Sequence, residues 1–359
     1  MTLPNLGVVI VTFNSADVIR DCLESLLAAR DVRLEIVIVD NASTDDTLAA
    51  LHDWASGATP YVPSADMPFV LSGCSKPVAL LAESDLGTMQ TSLSLIETGV
   101  NGGFAAGVNR GLAFLAARPG VDRFWILNPD SAVPPETPHA FATAPGPAGG
   151  FALMGGRVIY FDTPEIIQID GGLINRRTGV TGNSGLGQPH ATTPAPDPAS
   201  LDFITGASMV VSRAFYERAG PMAEDYFLYY EEVDWALRRG DLPLAYCAGG
   251  IVYHRAGTAI GSPTLGRPAS AFSLYFKHRA RLRFMRRFRP RNLWGAYAYS
   301  VAKAAQLALK GYWAEAATIL LASFERPPPA AVRSHLSDAA AIRAFGAFGA
   351  APPPPSPPD

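Results

Sequence analysis

Two stretches near the start constrain the fold most. Residues 7–12 (GVVIVT) and 34–39 (LEIVIV) are nearly unbroken apolar runs, the pattern of strands buried on both faces. Between them Asn14 or Ser15 can cap a helix. Val18, Ile19, Cys22, Leu23, Leu26 and Leu27 then recur at helical spacing as one apolar stripe. After the second run, Asp45 and Asp46 fall in the first turn of another helix and favour its dipole. A β-α-β-α opening predicts an α/β fold with a doubly wound, mostly parallel sheet and helices on both faces. Such a sheet needs much apolar material, and 359 residues at 48% hydrophobic composition supply it. Both strands end in small polar residues on one edge, where such sheets bind ligands.

A third run, residues 124–127 (FWIL), stops at Asn128-Pro129 because proline has no amide hydrogen to extend a ladder. Asp130 is thereby held at the carboxyl end of a strand, where a carboxylate suits a divalent cation and a phosphate. For an isolated Asn-Pro-Asp, a turn aspartate is the plainer reading. Ahead of it, residues 57–92 are rich in Pro, Gly, Ser and Met, with one strand candidate at 78–81, and read as an insertion. Residues 93–97 are the next strand candidate. Residues 101–111 form a glycine-rich turn entering a helix, without the glycine spacing of a dinucleotide fingerprint. Close backbone packing accounts for those glycines as well as ligand binding does.

Residues 134–200 are rich in Pro, Gly, Thr and Ala, with strand-like pieces at 156–161 and 166–169, and read as a substrate-facing region of long loops. Residues 226–238 then bring Glu231, Glu232 and Asp234 directly behind an aromatic run. A solvated helix start would explain three acids. Burial of residues 227–230, however, draws the carboxylates inward, and crowding beside apolar walls raises their pKa values, as a general base requires. If a helix starts here, Glu231 and Asp234 share a face while Glu232 points about 100° away. A strand at 246–253 ends at His254, which on its own is a structural histidine but makes chemical sense as a partner of Asp130 across a metal.

The formal net charge of −3 carries no signature of nucleic-acid binding. Cys22, Cys74 and Cys247 lack metal-site spacing and point to buried thiols in a reducing compartment. The first residues show no signal peptide, and no uncharged run reaches the ~18 residues of a spanning helix. From 277 to 291, eight Lys/Arg alternate with apolar residues and no acid, which suits an anionic membrane surface. The expected location is cytoplasmic, including the inner face of the cell membrane. Residues 292–324 read as two helices about Lys310-Gly311, and the Pro-rich end as extended or disordered.

Taken in order, these motifs resemble an inverting family 2 glycosyltransferase of GT-A fold, in its rhamnosyltransferase-like branch. The matching pieces are residues 9–14, 37–45, 101–111, 127–130, 205–207, 227–234 and His254, so the likeness runs over about 7–290. The resemblance implies a GT-A domain over 1–270, in which the insertion at 57–92 has no counterpart; the residues themselves give a basic amphipathic and helical C-terminal region over 271–325 and a Pro-rich, largely disordered tail over 326–359. The resemblance also implies donor contacts from Thr12, Phe13, Asn14, Asp40, Asn41, Asn109 and Asp130. Acceptor contacts fall to Thr205, Gly206 and Trp235, and metal ligation (Mg2+ or Mn2+) to Asp130 and His254. Glu232 aligns with the family's base, flanked by Glu231 and Asp234. Phe13 stands where Tyr is common, Asn128 replaces the first acid of a DXD motif, and Glu232 replaces the more usual Asp. The implied partners are a dTDP- or UDP-sugar and a glycan or lipid-linked acceptor used in cell-surface polysaccharide assembly. The rival readings are a nucleotidyltransferase, which would want a glycine-rich loop with Arg and Lys after the first strand, and a non-catalytic relative that binds a glycan or nucleotide sugar.

Overall fold

The computed structural model describes residues 3–82, 92–255 and 269–346. In chain order the strands are β1 (Asn5–Thr12), β2 (Arg33–Asp40), β3 (Leu80–Ala82), β4 (Ser92–Glu97), β5 (Arg123–Leu127) and β6 (Ser131–Ala132). They continue with β7 (Leu153–Tyr160), β8 (Ile167–Ile169), β9 (Gly171–Ile174), β10 (Thr181–Ser184), β11 (Ser208–Ser212) and β12 (Ala245–His254). The helices are α1 (Ile19–Leu27), α2 (Thr47–Ser56), α3 (Phe104–Ala116), α4 (Thr137–Thr143), α5 (Arg213–Ala219) and α6 (Glu231–Leu237). The C-terminal ones are α7 (Ala271–Phe288), α8 (Leu293–Leu309), α9 (Trp313–Ser323), α10 (Ala330–Arg333) and α11 (Asp338–Phe345). The fold is mixed α/β around a large, mostly parallel sheet ordered β3-β4-β2-β1-β5-β11-β7-β12-β6, with β8 added on β7.

Alternate residues of the central strands feed opposite faces. Val8, Ile10, Ile36 and Ile38 pack beneath α1 and α2, while Val9, Val37 and Val39 pack against α3. α3 lies close on the sheet because Gly111 has no side chain: a Cβ there would sit 2.5 Å from a Val9 methyl. The strand candidate at 78–81 is β3, parallel to β4. The first helix begins at Ile19 rather than at Asn14 or Ser15. A turn intervenes, in which the Ser15 carbonyl accepts from the amides of Val18 and Ile19. Asn14 meanwhile serves the β2 loop, its Oδ1 accepting from the amides of Thr44 and Asp45.

Pro129 ends β5, and the chain then crosses the sheet's carboxyl edge to form β6 beside β12. Ser131 pairs with His254, and the Arg255 amide donates to the Asp130 carbonyl at 2.9 Å. Asp130 is thus drawn from the sheet centre towards its far edge. Part of the insertion is tied down by buried Glu24, which accepts from Trp54 Nε1, the Cys74 amide and Lys76 Nζ at 2.7–2.8 Å. Arg255 clasps it from the other side through Asp66. Residues 83–91 and the Pro-rich tail lie outside the described residues.

The basic stretch is not the free cationic surface expected of it. It runs through α7, where Arg281 and Arg279 are 2% and 7% exposed. Arg281 donates to the Ala296 carbonyl, Arg287 bridges Asp225 and Asp234, Arg283 pairs with Asp225, and Arg286 pairs with Glu325. These partners lie far away in sequence, so a local pattern of alternating cations reads as solvated when it is packed. Phe276 of α7 sits 5.1 Å from Phe227, which brings the C-terminal helices against the aromatic run ahead of α6.

Candidate active site

The strand ends open onto a cleft of about 620 Å³. One wall comes from the ends of β1 and β2. Thr12 Oγ1 donates to Asp40 Oδ1 at 3.0 Å, and Asp40 also accepts from the amide and hydroxyl of Ser43. Asn41 Nδ2 donates to Asn101 Oδ1 and to the Gly103 carbonyl, closing the glycine-rich turn onto the strand. Phe13, Asn14, Asn41 and Asn101 face the cleft, whereas Thr12 and Asp40 stand behind them. Asp40, Asn41 and the side-chain oxygens of Asn14 and Asn101 are all engaged within this wall, which holds its geometry before any ligand arrives.

The second group is Asn128, Asp130 and His254. His254 Nε2 lies 3.1 Å from both Asp130 Oδ1 and Asn128 Nδ2, and its Nδ1 lies 2.7 Å from Gln168 Oε1. With Gln168 accepting from Nδ1–H, Nε2 accepts from Asn128 Nδ2 and lies beside the Asp130 carboxylate. Among the described residues no set of three His, Cys, Asp or Glu side chains converges to cage a metal. A carboxylate with one imidazole nonetheless fits a hard cation that takes its remaining ligands from phosphate and water.

The third wall is the start of α6. Phe227, Tyr229 and Tyr230 hold φ of 65°, 68° and 70°, three left-handed non-glycine residues within four positions. Each costs on the order of 1 kcal/mol and persists only where the surroundings impose it. The Phe227 carbonyl accepts from the Phe104 amide at 3.0 Å and packs against Gly103, whose added Cβ would lie 2.2 Å from that oxygen, while the Tyr230 hydroxyl donates to the Gly179 carbonyl at 2.7 Å. This contorted turn aims Glu231 and Glu232 into the cleft. Burial raises the Glu232 carboxyl to about 7, opposed by its own backbone hydrogen bonds and by the charge of Lys277. Burial and the neighbouring Glu232 push Glu231 well above the usual range, and among the described residues its Oε2 has no hydrogen-bond partner. The two form a carboxyl pair poised to hold a proton near neutral pH.

Several expected residues stand elsewhere. Asp234 is fully buried behind the cleft, accepting from Tyr226 Oη and Arg238 Nε and paired with Arg287. Trp235 is a core residue packed 5.0 Å from Phe215, with its indole donating to the Gly220 carbonyl. Asn109 joins α3 to the backbone of Met222 and to Glu224. Motif position along α3 and α6 does not state which side of the helix faces the ligand. Thr205 and Gly206 do line the cleft. Sequence reasoning missed Gln168 behind His254, and Phe272 of α7 and His335 of the turn after α10, whose rings meet tilted at 5.5 Å on the rim. No local signal marks those two, because only tertiary packing brings them there.

Residues 7–62 match the family described as Glycosyl transferase family 2. The chain is 21% identical to the low-salt glycan biosynthesis hexosyltransferase Agl10 of Haloferax volcanii over 68% of its length, and spans 65% of that relative. Among solved structures it is similar to the Pyrobaculum calidifontis mannosyltransferase PcManGT, in complex with GDP-Man and Mn2+. Identity is 15%, coverage is 90% of this chain and 87% of that one, and the TM-score is 0.49. S. aureus TarS 1-349 in complex with UDP gives 14% identity, 77% and 64% coverage, and a TM-score of 0.43. The family match thus falls on the opening β-α-β-α unit, whose strand ends form one wall of the cleft.

Proposed function

We propose that this protein is a GT-A glycosyltransferase. It transfers a hexosyl or deoxyhexosyl group, with inversion, from a nucleotide-diphosphate donor to a hydroxyl of a glycan or lipid-linked glycan acceptor. What carries the reading is that one cleft holds both a raised-pKa carboxyl pair, Glu231 and Glu232, and an Asp130–His254 pair suited to a cation. The family match and the hexosyltransferase relative support the same class of reaction. Within it, the wall of Phe13, Asn14 and Asn41 takes the nucleoside of a dTDP- or UDP-sugar. Asp130 and His254 would hold Mg2+ or Mn2+, which when bound supplies positive charge against the diphosphate. Thr205 and Gly206 flank the acceptor.

Glu232 then acts as the base. Its carboxylate accepts the acceptor hydroxyl's proton as that oxygen bonds to the anomeric carbon, while the carbon–oxygen bond to the diphosphate breaks and its electron pair leaves on the diphosphate. Displacement from the opposite face inverts the centre. Glu231, itself held protonated by burial, keeps the pair from carrying two charges. The rhamnosyltransferase-like assignment and the role in cell-surface polysaccharide rest on the motif resemblance. A panel of nucleotide sugars assayed for transfer and hydrolysis, with Mn2+ and with excess chelator, tests the whole reading. Turnover of a dTDP- or UDP-sugar that chelator abolishes is expected. Donor binding by titration calorimetry without turnover of any sugar would leave a non-catalytic binder.

A further inference from the structure

The C-terminal hairpin of α8 and α9 is apolar on the side that the described residues leave uncovered. On α8, Ala296, Ser300 and Ala304 are buried, and on α9 Ala316, Ile319 and Ala322. The opposite side of α8 presents Trp294, Ala298, Val301, Ala305 and Leu309, which recur at helical spacing and so share one face. α9 repeats the pattern with Trp313, Ala317, Leu320 and Phe324. Exposure is 85% at Trp294, 89% at Leu309 and 72% at Trp313. Phe324 stacks on Tyr297 at 5.5 Å, so the two stripes meet at that end of the hairpin. A solvated helix face normally carries charge, and an exposed apolar face of this extent marks an interaction surface.

The surrounding charges select the occupant. Arg289, Arg291 and Arg326 flank the Trp294–Phe324 end, and Lys310 sits in the turn beside Tyr312 and Trp313. α8 contains no acidic residue, Glu315 of α9 lies two residues from Trp313 and so on the side away from the apolar stripe, and Glu325 is already paired with Arg286. A second copy docked about a two-fold axis would set these cations against one another. Tryptophan and tyrosine on an apolar stripe bordered by Lys and Arg is the composition of an element lying in a membrane interface. Among the described residues no helix is long and apolar enough to cross a membrane, so the contact is with one leaflet. We propose that the α8–α9 hairpin seats the protein on an anionic lipid surface, with Trp294, Leu309 and Trp313 at the boundary of headgroups and acyl chains. The inference is independent of the reaction proposed above.

The chain has five tryptophans, and Trp54, Trp125 and Trp235 are buried, so Trp294 and Trp313 alone can report on lipid. The full chain should co-sediment with phosphatidylserine-containing vesicles, bind pure phosphatidylcholine more weakly, and lose fluorescence to brominated acyl chains. Leu309→Glu keeps both reporters and should weaken partitioning by about tenfold or more and remove the quenching. Trp294→Ser with Trp313→Ser should weaken it as much while the far-ultraviolet circular dichroism stays that of the parent. Failure to co-sediment with anionic vesicles at low salt overturns the proposal. So does sedimentation without quenching. A dimer by light scattering that Leu309→Glu converts to monomer, with no vesicle binding, would assign the face to a second copy instead.

Discussion

The two long walls of the cleft are built on opposite principles. Along the ends of β1 and β2, Asp40 satisfies Thr12 and Ser43, Asn41 satisfies Asn101 and Gly103, and the left-handed residues Asn14 and Ala42 (φ 52° and 61°) stand singly in separate loops rather than in a run. At the start of α6, three left-handed residues precede two crowded carboxyls, one with an oxygen lacking a partner among the described residues. The first wall is a finished mould. The second holds strain and suppressed charge in place because the rest of the fold outweighs them. Polar groups that are satisfied bind; polar groups kept unsatisfied are available to react.

The contrast predicts opposite couplings of activity and stability. Glu232→Gln should lower transfer by ~10²-fold or more while donor affinity by titration is unchanged. It should also leave the protein more stable at neutral pH. The Glu232 carboxyl, at about 7 when folded against an ordinary 4.5, binds its proton more tightly in the native state. Native stability is therefore lost as pH rises from about 4.5 to 7, and glutamine removes that loss. The melting midpoint of Glu232→Gln should gain on the parent across that window, and transfer by the parent should fall as pH drops below about 7. A variant that loses activity and stability together would break the comparison.

Gly103→Ala should destabilise by roughly 2 kcal/mol or more, since it places a Cβ against the Phe227 carbonyl at φ 89°. Transfer should fall with it as the turn ahead of Glu231 is pushed out of place. Denaturant unfolding and transfer assays on one preparation measure both. Asp40→Ala should behave in the reverse sense to Glu232→Gln. It leaves the buried Thr12 hydroxyl and the half-buried Ser43 donors unpaired at ~1–3 kcal/mol, with donor affinity reduced and the carboxyl pair's pH profile unmoved. The smallest effect is expected at Asn109→Ala: ~1 kcal/mol of stability from its lost bonds to Met222 and Glu224, with donor affinity unchanged in calorimetry. A large loss of donor binding there would return Asn109 to the cleft.

Legibility followed the range of the interactions. β1, β2 and β5 were readable because burial on both faces leaves unbroken apolar runs. Asp130 and His254 were readable as a pair because each follows a strand of one sheet. Asp234 and Trp235 were misplaced because adjacency to Glu232 says nothing of the side they face. The cations of α7 looked solvated because Asp225, Asp234 and Glu325 are brought to them only by folding. Phe272 and His335 left no trace for the same reason.

The crossing from β5 to β6 has a consequence for the order of assembly. Asp130 belongs to the middle of the chain, but the strand that holds it in register, β12, is synthesised much later. A nascent chain that has emerged only through β11 can stack the parallel half of its sheet, yet it has no His254 to set beside Asp130. Long-range pairing of this kind closes late, because the loop entropy must be overcome before the contact rewards it. The site therefore works as a completion check: a chain cut short before β12 can be compact but cannot present the Asp130–His254 pair.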